Sequence, residues 1–224
     1  NQHFSFRVEE FRRPEFSLQL DWSAPNQLDL HAEYYSGGDL AEARWECRLQ
    51  ALPYPFVPPG RQQFTFGNWR PRWTSCYFPP QHELHLSGVC DQKGRARLHF
   101  EPGPVQGDSL WVTTTVTARD SNQQATSASS RHWVHPSSYH VGLRSRSRVV
   151  GSDGRAEIEI LVTDRSGQAV EGVAVRAGFG SHQLELVSAS TPVTLPLNLE
   201  DSFSLVWAEC EDAQGGLART QLPR

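Results

Sequence analysis

Two pairs of histidines have a spacing that invites comparison with zinc-binding motifs. His82 and His85 flank Glu83, and His132 and His135 are also three positions apart. The zinc-protease motif needs histidines four positions apart on a helix, which puts both rings on one face. Here each pair falls in a strand-like segment, where positions i and i+3 point to opposite faces. We therefore expect no metal ion and no other cofactor, and we interpret these histidines as strand-surface and linker residues.

The cysteines are the next candidates for covalent chemistry. The chain has four of them, and four thiols allow three pairings, none of which the sequence selects. We favour one disulfide within the first half, formed in an oxidising compartment among Cys47, Cys76 and Cys90, with the pairing open. The alternative is that these three and Cys210 are reduced and buried as small apolar side chains.

The sequence lacks the motifs of common catalytic sites. It has no glycine-rich phosphate loop, no Gly-x-Ser-x-Gly nucleophile turn and no pair of carboxylates in a catalytic context. Its formal net charge of −4 gives no electrostatic reason to expect nucleic acid as a partner. No apolar run approaches the length of a membrane span. We predict that the chain is not an enzyme.

Two groups of surface-type residues suggest binding. Arg144, Arg146 and Arg148 alternate with serines, which places three cations on one strand face. This face could bind an anionic partner, but we favour a solvated strand face that discourages edge-to-edge pairing. Trp69 and Trp73 lie in a proline-rich stretch with other aromatics and could stack on sugar rings. We favour their packing the loop onto its own sheet.

The elements that carry these residues are predicted from side-chain alternation. Apolar residues recur with period two, and no helical apolar stripe persists for three turns, so we predict an all-β fold. Turn sequences such as those at 91–94 and 164–167 separate the strands at sandwich-like spacing. The proline- and aromatic-rich segment 52–72 is predicted to be a long, ordered inter-strand loop.

The chain of 224 residues is long enough for two domains of roughly 100 residues each. Seven short strands can be counted after a boundary near 135–138, the number found in an immunoglobulin-like sandwich. We therefore predict a terminal strand or linker of a preceding domain at 1–13, one sandwich at 14–135 and a second at 136–224. Because the chain opens with Asn1 and contains no methionine, we expect it to be part of a longer protein.

The chain carries, in this order, the motifs VEEFRRPEF at 8–16, AEYYSGGDLAEA at 32–43, VTARDSNQQ at 116–124, VHPS at 134–137 with VGL at 141–143, and VTDRSGQAVEGV at 162–173. Taken together in their order and spacing, these motifs resemble those of bacterial α2-macroglobulin-like proteins. The resemblance covers essentially the whole chain and implies two consecutive macroglobulin domains of the N-terminal half, the third and fourth. Ser36, where an aromatic residue is expected, and Ala169, where proline is common, depart from the pattern.

The resemblance implies an endopeptidase inhibitor that traps proteases at the bacterial envelope. A protease cuts a bait region, the ring of domains rearranges, and the attacker is caged. Many members also capture it through a thioester, which needs Cys-x-Glu-Gln, and none of the four cysteines here begins that pattern. The chain is then an extracytoplasmic scaffold whose partners are other macroglobulin domains of the same protein, while target proteases meet the bait region outside it.

Two other functions stay open at this stage. One is an immunoglobulin-like adhesin or carbohydrate-binding module, for which the aromatic loop would be the binding surface. The other is a non-catalytic domain attached to a secreted hydrolase. Shared fold alone does not separate these functions.

Overall fold

The computed structural model describes residues 15–68, 82–100, 108–146, 155–179, 182–198 and 205–222. These residues contain strands and turns but no helix, and so no helix that could cross a membrane. The predicted all-β fold is confirmed. The strands are β1 Phe16–Ala24, β2 Gln27–Tyr34, β3 Arg44–Pro53, β4 Thr65–Phe66, β5 His82–Val89, β6 Arg95–His99, β7 Leu110–Arg119, β8 Ala125–Val134, β9 His140–Ser145, β10 Arg155–Thr163, β11 Ala174–Phe179, β12 His182–Val187, β13 Val193–Asn198, β14 Val206–Glu211 and β15 Leu217–Leu222.

The chain divides into two compact units that interleave along the sequence. Of the described residues, those within 1–50, 83–101 and 113–132 form the first unit, and those within 51–82, 102–112 and 133–224 form the second. Two segments from the first half of the sequence thus belong to the second unit. The predicted domains, 14–135 and 136–224, are continuous stretches of sequence, whereas these units are defined by contacts between residues. The predicted limits therefore stay a prediction.

The core of the first unit lies between two antiparallel layers. One is a sheet of order β1-β2-β6, and the other is contributed by the sheet of order β5-β3-β7-β8. Alternation decides which side chains enter: Leu28, Leu30 and Ala32 of β2 are buried, while the residues between them are only partly buried. They meet Val116 and Ala118 of β7 in one apolar cluster. Burying a leucine side chain contributes about 2 kcal/mol, so this alternation fixes the faces of the strands.

The second unit contains seven strands from the second half of the sequence, β9–β15, which is the number predicted there. Its core lies between a sheet of order β13-β10-β9-β4 and a sheet of order β12-β11-β14-β15. Ile158, Ile160 and Val162 point from β10 into this core, where they meet Val175 and Ala208. The period of two along β10 therefore matches the pleat, as in an immunoglobulin-like sandwich.

The opposite face of β10 is covered by the segment that was predicted as a long loop. Leu161 packs there against Phe64 and Phe66. Phe66 belongs to β4, and Phe64 immediately precedes this strand. β4 pairs with β9 through Thr65 and Phe66, so the loop adds an edge strand to this sheet. A side chain on Gly142 would meet the Phe66 ring at 2.7 Å, so this β9 position has no room for one.

Four turns share one geometry built around an aspartate. In each, a backbone N–H four residues after the aspartate donates to its Oδ1 at 2.7–2.9 Å. The N–H of the residue three positions on donates to the aspartate carbonyl at 3.0–3.2 Å. That residue has a positive φ of 63–86°. The aspartates are Asp91, Asp120, Asp164 and Asp212, followed respectively by Gly94, Gln123, Gly167 and Gly215.

Gln123 is the one side chain among these four positive-φ positions, so its replacement by glycine should stabilise the protein. A left-handed conformation costs an L-residue roughly 1–2 kcal/mol, and the extra freedom of glycine in the unfolded chain offsets part of the gain. We expect Gln123→Gly to raise the free energy of unfolding by about 0.5 kcal/mol. Ser121→Gly, at an ordinary negative φ in the same turn, should lower it. Urea denaturation of both variants gives their free energies of unfolding, and equal destabilisation by the two substitutions would contradict the prediction.

Candidate functional site

The three described cysteines are free thiols with buried side chains. Cys47 and Cys90 lie in the core of the first unit, and Cys210 lies in the core of the second. Burial raises the pKa of Cys47 and Cys90 to about 11 and that of Cys210 to about 12, with nearby carboxylates adding to the effect at Cys90 and Cys210. Protonated thiols are poor nucleophiles and poor metal ligands. The predicted disulfide is not formed between Cys47 and Cys90, and its third candidate, Cys76, lies outside the described residues.

The two described arginines of the predicted patch face carboxylates. Arg144 Nε donates to Glu159 Oε2 at 2.6 Å, and its guanidinium lies 4.6 Å from the centre of the Phe64 ring. Arg146 lies 3.3 Å from Glu157 and 3.6 Å from Glu159. This part of the strand face therefore carries little unpaired positive charge. Arg148 lies outside the described residues, so the interaction patch stays a prediction.

The structure describes predicted surface histidines, but it does not describe the tryptophans of the predicted sugar platform. His85 Nε2 lies 3.2 Å from Glu83 on the same strand, and Glu83 also accepts a hydrogen bond from Arg48. His132 stacks on Trp22 at a centroid distance of 4.8 Å. Within the described ranges, no three His, Cys, Asp or Glu side chains are grouped to hold a metal ion. Trp69 and Trp73, the platform candidates, lie outside those ranges.

A cluster of aromatic and histidine rings in the second unit was missed by the sequence analysis. At its centre the Phe56 ring lies 4.6 Å from His135 and 4.9 Å from His140, and the two imidazoles are 5.0 Å apart. Most of these contacts are edge-on or tilted, the arrangement that aromatic rings prefer. We call this set the histidine–aromatic cluster, and its members are Tyr54, Phe56, Trp111, Trp133, His135 and His140.

His140 is the buried titratable group of this cluster. Its side chain is 7% exposed, and its Nε2 has no hydrogen-bond partner among the described residues. Burial lowers the pKa of His140 from 6.5 to about 4; the nearby Arg165 lowers it further, and Asp164 opposes the shift. By contrast, His135 Nδ1 is hydrogen-bonded to Ser109 Oγ at 2.9 Å. The arrangement gives a neutral, proton-sensitive imidazole in a packed interior.

The sequence holds one signal for this cluster. The run Pro53-Tyr54-Pro55-Phe56 combines stiff backbone with large rings. Such a run packs against something, but its partners are more than fifty positions away in sequence. His135 was interpreted as a linker residue, whereas its ring stacks 6.0 Å from Trp133 and contacts Phe56.

Comparison with known proteins gives a weak sequence match and a clear structural one. No family model matches the chain. Circularly permutated Ras protein 2 of Dictyostelium discoideum is 22% identical over 231 residues, which cover 90% of this chain and 6% of that protein. Trypsin-activated α2-macroglobulin of Escherichia coli matches with a TM-score of 0.63 and 16% identity, over 96% of this chain and 17% of that one.

Two further solved structures agree. Salmonella α2-macroglobulin reacted with methylamine matches with a TM-score of 0.58 and 14% identity, and native E. coli α2-macroglobulin with 0.57 and 15%. Each match covers 96% of this chain, which spans 16–17% of the solved chains. The expected resemblance is confirmed at the level of the fold. The described chain has the fold of macroglobulin-like, immunoglobulin-type β-sandwich domains, as they occur in bacterial α2-macroglobulins.

Proposed function

We propose that this chain is a scaffold segment of an α2-macroglobulin-like endopeptidase inhibitor that traps proteases at the bacterial envelope. The observation that carries the proposal is the fold match to bacterial α2-macroglobulin structures over 96% of the chain. The chemistry of the described residues supports a non-catalytic role, because the three described thiols are buried and protonated at neutral pH.

Each unit has the physical properties that a scaffold needs. Both contain a packed apolar core between antiparallel layers, which resists deformation. Such modules can be displaced as rigid bodies when a larger assembly rearranges. In this proposal the partners of the chain are other macroglobulin domains of the same extracytoplasmic protein. The bait region that meets proteases belongs to another part of that protein, as does any thioester.

The mechanism of trapping can be separated from ordinary inhibition by substrate size. A caged protease is shielded from protein substrates but remains open to small peptides, because its catalytic residues are not blocked. We therefore expect the longer protein that contains this chain to suppress cleavage of casein by several unrelated proteases. Cleavage of short chromogenic peptides by the same samples should persist.

The isolated 224-residue chain is the matched control, and it should suppress neither reaction. Inhibition of unrelated proteases by the isolated chain would overturn the scaffold assignment. Equal loss of casein and peptide cleavage with the longer protein would indicate an active-site inhibitor. Binding of the chain to chitin or cellulose that is lost in both Trp69→Ala and Trp73→Ala would support the sugar-binding function instead.

A further inference from the structure

The segment Tyr54–Val57 covers His140 in the second unit. Its Phe56 ring contacts the imidazoles of both His135 and His140. At its start, the Tyr54 N–H donates to the Ser109 carbonyl at 2.9 Å. Tyr54 and Val57 are 59% and 43% exposed, so the outer side of this covering segment faces solvent.

Beneath the cover, a proton on His140 has a poor environment. His140 lines a narrow pocket of about 10 Å³ together with Phe56, Ser109 and Thr220, which leaves room for about one water molecule. The unpartnered Nε2 would need an acceptor in its charged form, and a buried cation without a partner is costly.

The charged groups around His140 leave this cost largely uncompensated. Asp164 and Arg165, in the turn after β10, act on it with opposite signs, and the arginine effect is the larger. Arg219 of β15 also lines the pocket, but its guanidinium lies 3.8 Å from the Glu209 carboxylate and over the Trp207 ring, while His135 is a second titratable ring at 5.0 Å. The charges that act on His140 are therefore one cation and one carboxylate, and the cation has the larger effect.

We propose that the covering segment Tyr54–Val57 is an acid-released latch, which lifts from His140 when the imidazole binds a proton and admits water to Nε2. The event is local, because the rest of the loop is held by groups that do not involve the histidine. Arg61 Nε donates to the Gly167 carbonyl at 2.8 Å, and Asn68 donates twice to Asp108 at 2.7 Å. These anchors stay in place while the stretch that covers the histidine opens.

The direction of the pH dependence follows from proton linkage. In the closed state His140 has a pKa of about 4, whereas a solvated histidine has its ordinary value of 6.5. Between these two values the open state binds a proton that the closed state does not, so acid favours opening. The equilibrium constant for opening should rise roughly 20-fold between pH 7 and pH 5, if the open ring is fully solvated.

Hydrogen exchange on the 224-residue chain tests the latch. Amide exchange of peptides that span 52–64 is measured at pH 7 and pH 5, with labelling times scaled for the intrinsic rates, and a peptide from 16–34 in the first unit is the internal reference. We expect faster opening at pH 5 in the wild type and in His135→Gln, and no pH dependence in His140→Gln. An acid effect that survives in His140→Gln, or none in the wild type, overturns the latch.

A second measurement holds even if His140→Gln is poorly folded. In the wild type, the His140 ring signal in NMR spectra should stay that of a neutral imidazole at pH 6. In Phe56→Ala the cover is removed, and the same ring should titrate closer to 6.5. Unchanged titration of His140 in a folded Phe56→Ala protein would show that the segment does not control access to the ring and would overturn the proposal.

Discussion

Gly94→Ala is expected to lower the free energy of unfolding by at least about 3 kcal/mol. Gly94 has φ of +65°, where an L-residue is disfavoured by roughly 1–2 kcal/mol. A Cβ at this position would also lie 2.2 Å from the Ala32 carbonyl oxygen and 3.0 Å from Leu40 N. Those atoms belong to backbone and cannot swing aside. The turn must move, which disturbs the hydrogen bonds that Ala32 makes with Gly94 and Leu40 at 2.8 and 3.0 Å, each worth about 1 kcal/mol.

Gly37→Ala is the matched control for this variant. Gly37 lies in the same unit at φ of +90°, yet no described atom lies within 4 Å of a Cβ added there. Its substitution therefore measures the backbone conformation alone, and we expect a loss of about 1 kcal/mol. The midpoints of urea unfolding, followed by circular dichroism, give both values. Equal losses in the two variants would show that the contact between Gly94 and Ala32 adds nothing.

The contrast between these glycines marks what local sequence rules can predict. Both lie in sequences that are typical of turns, because glycine is the residue that tolerates positive φ. Which of them also touches another strand depends on tertiary packing. The strands themselves follow from alternation, as β7 shows: Val112, Val116 and Ala118 are buried at the predicted period.

Contacts between distant parts of the sequence escape the same rules. Phe66 and Gly142 are far apart in the chain, and the need for glycine at 142 arises because the side chains of Phe66 and Phe64 lie against it. The burial of His140 has the same origin, since Phe56 covers it from a different segment. Neither the residue types around His140 nor their spacing indicates that this side chain is buried. Sequence patterns predicted the sheets, whereas only the structure shows that the segment 52–68 covers their faces.

The arginine patch was predictable from the sequence in part. Alternation predicted that Arg144 and Arg146 share a face of one strand. In the register of the β9–β10 pair, Arg144 lies directly opposite Glu159. Opposite charges across an antiparallel pair stabilise it, and the hairpin sequence contained both glutamates. Considering the two strands as a pair, rather than one at a time, would have indicated that these arginines are paired.

Asp212 should be the most important aspartate of the four turns, because its carboxylate has two sets of donors. Within the turn, Oδ1 accepts N–H groups of Gln214 and Gly216 at 3.0 and 2.7 Å. Oδ2 accepts the N–H and hydroxyl of Ser138, each at 2.7 Å, and the hydroxyl of Ser137 at 3.2 Å. The carboxylate therefore ties the segment before β9 to the β14–β15 turn. Partial burial alone would raise the pKa of Asp212, but these hydrogen bonds outweigh it and hold the pKa well below its usual range.

Asp212→Asn is expected to lower the free energy of unfolding at pH 7 by about 2–3 kcal/mol, because the amide Nδ2 would face the Ser138 N–H, donor against donor. Asp164→Asn is the matched control. The Asp164 Oδ1 accepts from Ser166 and Gln168, which an amide oxygen can still do, so we expect a loss below about 1 kcal/mol. The lowered pKa of Asp212 stabilises the fold at pH values above the unfolded pKa of 3.8, and this stabilisation is lost as pH falls towards the folded pKa. The gap between wild type and Asp212→Asn in urea unfolding should thus shrink from pH 7 to pH 3. A gap that stays constant over this range would mean that the charge of Asp212 contributes nothing.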